Sequence, residues 1–115
     1  MLKKVRQIRV NMNTGEICNN DDQELKFFNK DYSTSILHVC GIPKGVKAFL
    51  VVKAPNTQEA QTIGGKVVTV AKQECFEFEL PVDQVGKYIA QVKCKYSYQE
   101  SYSNKFEYTS EEVLG

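Results

Sequence analysis

One histidine, no closely spaced cysteine pair and no nucleophile elbow leave this 115-residue chain little with which to do chemistry. No carboxylate pair for acid–base work is read outside the polar loops. Zinc needs at least two closely spaced ligands, and Cys18, Cys40, Cys75 and Cys94 stand far apart. No metal or cofactor is therefore expected, and no enzymatic activity. A formal net charge of +1, with the lysines scattered, offers no basic field for nucleic acid. No apolar run approaches the roughly 20 residues of a membrane span. The basic start at Lys3, Lys4 and Arg6 leads into no apolar segment of a secretory signal. Synthesis in a reducing cytoplasm follows, and with it four free thiols acting as small core residues. A Cys40–Cys94 bridge between facing strands is the alternative, although Cys40 has the opposite parity from Leu37 and Val39.

What the chain does contain is alternation. Phe76, Phe78 and Leu80 share one parity, and Tyr88, Ala90, Val92 and Cys94 share another. Period-two patterns of this kind mark strands with one face on a core and the other in water. The join between them, Leu-Pro-x-Asp-x-x-Gly-x-Tyr over 80–88, is too short for a helix. It reads as the corner where a sandwich chain leaves one sheet for the other.

Other strands are expected at residues 5–12, with Ile8 and Val10 on one side, at 24–28, and at 33–40 with Leu37 and Val39 inward. Glu16, Ile17 and Cys18 are placed to pair back briefly on the first strand. His38 reads as an exposed strand residue without triad partners. Residues 46–53 have an almost continuous apolar centre, which requires cover on both faces or a partner on one. Residues 58–61 are polar, a loop or one helical turn; Gly64-Gly65 then reads as a tight hairpin, its glycines supplying positive φ. Asn19-Asn20-Asp21-Asp22 lacks calcium-loop spacing and reads as a solvated loop. Phe106 and Tyr108 mark the last strand. Many short strands without an amphipathic helix predict an all-β, immunoglobulin-like antiparallel β-sandwich. It occupies residues 1–110 as one domain, with 111–115 starting a linker or a truncated continuation.

The surface feature singled out is Tyr96, Tyr98 and Tyr102 around a polar loop. Tyrosine supplies large contact area at low entropic cost and tolerates water, so these three are the candidate partner-binding residues. Cross-strand packing of the same rings is the competing reading.

Three motifs occur in order. They are Phe28-x-x-Asp31-x-x-Thr34-x-x-Leu37-x-Val39, a strand ending Val52-Lys-Ala-Pro55-Asn56, and Phe76-x-Phe78-x-Leu80-Pro81 followed by Gly86-x-Tyr88. Together they resemble the N-terminal domain of the phage baseplate upper protein (BppU) family. Two features depart from that pattern: Thr57 stands where a glycine often follows, and the segment before Phe28 is long. Asp83-x-x-Gly86-x-Tyr88-x-Ala90 is also similar to the tyrosine corner of immunoglobulin domains, with one extra residue and alanine in place of cysteine. The family resemblance implies a virion structural protein of a long-tailed phage, made in the host cytoplasm and assembled into the tail baseplate. Its implied partners are other baseplate or tail proteins, with an oligomer open to the full-length chain; it carries no catalytic residues across.

Overall fold

In the computed structural model, residues 4–11, 16–19, 25–28 and 35–113 are described. They contain eleven strands: β1 (Lys4–Asn11), β2 (Glu16–Asn19), β3 (Lys26–Phe28), β4 (Ser35–Cys40), β5 (Lys47–Lys53), β6 (Ala60–Gly64), β7 (Lys66–Val70), β8 (Gln73–Glu79), β9 (Gly86–Lys95), β10 (Glu100–Tyr102) and β11 (Phe106–Glu111). One sheet runs β2-β1-β4-β8-β7; the other runs β3-β11-β9-β5-β6, with β10 beside β9. The all-β sandwich expected from the alternation is borne out. The order β4-β8-β7 against β11-β9-β5-β6 matches the B-E-D and G-F-C strands of the immunoglobulin sandwich with an added C′ strand. Two ladders are parallel, β1 with β4 and β3 with β11, where antiparallel pairing was expected. Parallel neighbours require long crossovers, which leave no local signature.

Alternation places the core. Leu37 and Val39 of β4, Phe78 of β8, Leu50 and Val52 of β5, and Tyr88, Ala90 and Val92 of β9 are all buried between the sheets. The β8–β9 corner does carry the chain from one sheet to the other. Three hydroxyls hold it. The backbone N–H of Gln84 donates to Tyr88 Oη at 3.0 Å, Tyr108 Oη donates to Pro81 O at 2.7 Å, and Ser110 Oγ donates to Val82 O at 2.6 Å. Tyr88 and Tyr108, opposite each other on β9 and β11, stack with centroids 4.8 Å apart, and Phe27 meets Tyr108 edge-on at 5.8 Å. Burial pushes both phenols above the ordinary tyrosine range, so they remain hydrogen-bonding hydroxyls.

Gly86 opens β9 with φ of 136°, a region closed to side chains, and a Cβ there would meet Pro55 at 3.0 Å. The Pro55-Asn56 turn and the Gly-x-Tyr corner, distant in sequence, therefore lean on one another.

Three expectations are corrected. Gly64-Gly65 is not a hairpin, and neither glycine has positive φ. β6 pairs with β5 and β7 with β8, so the chain crosses between sheets at Gly65. Glycine is needed there for approach, since a Cβ on Gly65 would lie 2.7 Å from the Phe78 ring. The tight hairpin comes later, at Ala71 and Lys72, whose φ values are 49° and 65°. Residues 60–61, read within a polar loop or helical turn, belong to β6.

The second correction concerns the thiols. Cys40 is disulfide-bonded to Cys75, with Cα atoms 4.5 Å apart, and Cys94 is a buried free thiol. Cys40 lies one step beyond the Val39–Phe76 pair of the β4–β8 ladder, opposite Cys75 and away from the core that holds Cys94. Parity thus rules out the Cys40–Cys94 bridge, while adjacency within one sheet supplies another partner. The Cys18 side chain lies outside the described ones, as do Met12, the loop at 20–22 and the Asp31 and Thr34 positions of the opening motif.

The third concerns His38, which is half-buried rather than exposed. On the outer face of the β4 sheet its Nε2 lies 3.0 Å from Glu77 Oε1, and Lys66 Nζ lies 3.1 Å from Glu77 Oε2.

Candidate functional site

The tyrosine segment is built by the end of β9. After Lys95 the chain leaves the ladder, the N–H of Tyr96 donates to Gln99 O at 2.8 Å, and β10 returns along β9. The register sets Tyr102 opposite Lys93, Ser101 opposite Cys94 and Glu100 opposite Lys95. Lys93 Nζ reaches Glu100 Oε2 at 2.8 Å, raising the lysine pKa and lowering that of the glutamate. Downstream, buried Ser103 ties the return to β9. Its Oγ accepts from the N–H of Val92 and donates to Asn104 O, both at 2.9 Å.

The three tyrosines do not form one platform. Tyr96 continues the inward parity of β9 and packs against the core margin. Tyr98 stands fully exposed at the loop tip. Tyr102 is half-exposed and sits with Lys93 on the solvent face of the β9 sheet. Tyr96 thus packs inward, whereas Tyr98 packs on nothing.

The structure adds a neighbour that sequence reasoning did not place. Phe49 of β5 is opposite Lys93 on the side away from Tyr102, giving the row Phe49–Lys93–Tyr102 across three strands. Phe49 and Val51 are half-buried on this face, while Ala48, Leu50 and Val52 fill the core. The continuous apolar centre of β5 is thus explained on its core side, and its outer side has no covering layer among the described residues. The available signal was that apolar run; which of its residues face outward depended on register. Beside the row is a cleft of about 430 Å³ walled by Val46, Lys47, Phe49, Lys95 and Tyr96. Lys47 and Lys95 are directly opposite in the ladder, giving the cleft a basic wall.

On the other sheet, the His38–Glu77–Lys66 row couples an imidazole to a carboxylate. Hydrogen bonding from His38 is the main cause holding the Glu77 carboxyl below its ordinary range, with Lys66 adding to it against partial desolvation. The third member is a lysine bound to the same carboxylate, so the row acts as a cross-strand clasp. Among the described residues, no cluster of three or more His, Cys, Asp or Glu is placed to hold a metal ion.

No protein-family model and no curated protein matches the chain by sequence. Solved structures do match. One is the N-terminal domain of phage TP901-1 ORF48, superposing with a TM-score of 0.57 at 16% identity. The match covers 96% of this chain and 99% of that one. The chain has the fold of that domain. The resemblance to a baseplate upper protein N-terminal domain, read from the motif order, is borne out at the level of fold.

Proposed function

We propose that this chain is a non-enzymatic structural module of a long-tailed phage virion. In this reading it docks receptor-binding components onto the central baseplate. The observation that carries it is the end-to-end fold likeness to a phage protein domain, joined to three motifs in family order. The docking face is the exposed end and outer side of the β9 sheet. Tyr98 and Tyr102 with Phe49 supply aromatic area there, and Lys47 and Lys95 supply charge. Tyr96 supports the loop from beneath.

The test mixes this domain with the hub protein of the same genome and follows complex mass by light scattering. A stable complex is expected, weakened about tenfold or more by Tyr98→Ala with Tyr102→Ala, as for aromatic interface anchors. Separate masses at every concentration would remove the docking role; an unaffected complex would move it to another face.

A generic immunoglobulin-like adhesion or carbohydrate-binding module is the second reading, supported by the strand order and the tyrosine corner. The separation of Tyr96, Tyr98 and Tyr102 weighs against its saccharide form, which needs neighbouring rings in one plane. Binding on an array of host-wall saccharides would restore it.

A further inference from the structure

We propose that β7 is a self-association edge, pairing antiparallel with β7 of a second copy to join the two β4 sheets. β7 closes one side of its sheet, and β8 is its one neighbour there. Its sequence, Lys-Val-Val-Thr-Val, is mostly β-branched, with no proline and a single charge at its start. Natural edge strands are guarded by lysines, prolines or bulges, and this one has little of that protection. Val67 is 58% exposed, more than Val85 or Ile89.

Hairpin geometry fixes which backbone groups are free. In a two-residue hairpin the residues flanking the loop, Val70 and Gln73, exchange both of their hydrogen bonds. Alternation along the ladder then turns Val68 and Lys66 toward β8 as well. The N–H and C=O of Val67 and Thr69 point off the sheet, and no turn or loop bond reaches them among the described residues.

This arrangement is self-complementary in one register. With the two-fold axis at Val68, each Val67 faces the partner's Thr69, and four backbone hydrogen bonds form. Val68 meets the partner's Val68 as a close, non-bonded pair. Lys66 falls opposite the partner's Val70, so no like charges oppose one another, and each lysine keeps its own Glu77. Centring on Val67 would set Thr69 against Gly65 at the sheet crossing. Centring on Thr69 would set Val67 against Ala71, a turn residue with φ of 49°. The Val68-centred register alone keeps every pair within the strand.

A second observation concerns the inward side of this edge. Val67 and Phe76 line an apolar cleft of about 490 Å³ together with Ile42, Val46 and Ala48. An added strand would set its own Val67 and Thr69 along the open side of that cleft. Strand addition with a receiving groove for alternate side chains is a recurrent recognition mode. Five paired residues bury less than the roughly 1,000 Å² of a stable interface, so each contact is weak and gains strength where copies are held together.

The test is light scattering on the whole chain from about 10 µM to about 1 mM, with amide NMR over the same range. The weight-average mass should rise from 13.1 kDa toward twice that value. The amide signals of Val67 and Thr69 should shift more than that of Val68. Thr69→Pro removes an off-edge N–H while leaving the β8-facing pairs intact, and should abolish the rise without unfolding the chain. Should that variant fail to fold, Val68→Lys decides the matter by setting two lysines face to face. A constant 13.1 kDa would overturn the proposal, as would a dimer that persists in the variants. Val67 and Thr69 amides that respond only to a foreign protein would overturn it too, giving the edge to that protein's strand.

Discussion

At the scale of single residues, hydroxyls set the geometry of the β8–β9 corner. Tyr108, itself buried, donates to Pro81 O, and phenylalanine at this position leaves that carbonyl without its donor. Tyr108→Phe should therefore lower stability by about 1–2 kcal/mol in urea titration, while Tyr98→Phe at the exposed loop tip should change nothing measurable. The buried acids also set an alkaline limit. Burial pushes the Cys94 thiol up to about 11, and both corner phenols are raised as well. A raised folded pKa contributes stability that is complete below the unfolded value and is lost as pH climbs toward the folded one. Urea midpoints should hold level to about pH 8, fall as unfolded thiols ionise near 8.5, and fall faster once unfolded tyrosines ionise near 10. A midpoint unchanged at about pH 10.5 would contradict the burial of these groups. Parity and the tyrosine-corner pattern placed Tyr88 at the corner; the bond from Tyr108 was not legible, because its acceptor lies 27 residues away on irregular backbone.

At the scale of elements, two adjacent glycines give a discriminating pair. Gly65→Ala drives a methyl into the Phe78 ring and should cost about 1–3 kcal/mol. Gly64→Ala meets open space and should be neutral or stabilising by up to about 1 kcal/mol. Equal effects would contradict the crossing. The β7–β8 hairpin offers the opposite lesson, since Ala71 and Lys72 carry positive φ without glycine or asparagine. Ala71→Asn with Lys72→Gly should raise stability by about 1 kcal/mol, read from the urea midpoint. Turn chemistry misled at Gly64-Gly65, because strand pairing rather than the turn residues decides where a hairpin closes. Gly-Gly is a strong hairpin signal, and Ala-Lys is none, yet strand pairing chose the second. β6 was hidden because an edge strand buries little, so Ala60, Gln61 and Thr62 show no alternation to read.

For the whole molecule, the disulfide is the one covalent tie across the β4–β8 ladder, and it closes a separation of 35 residues. Cys40→Ala with Cys75→Ala should lower stability by about 3 kcal/mol under oxidising conditions. Reductant should bring the unsubstituted chain to the same level; an unchanged unfolding curve would mean the bond is not formed in solution. Apart from β6, the main strands, their inward faces and the corner between sheets were legible in the chain itself. Period-two alternation is a local consequence of which side chains leave water, and the Leu-Pro to Gly-x-Tyr join is short enough to be set by its own residues. Beyond the β1–β2 hairpin, which was expected and is borne out, which strands lie side by side was not legible. That choice brought Cys75 rather than Cys94 to Cys40, His38 to Glu77, Phe49 to Lys93, and β1 parallel to β4. Each of these pairings joins segments far apart in the chain. Only the packing of two complete sheets over one core decides among such pairings, because every candidate strand carries a similar alternating face.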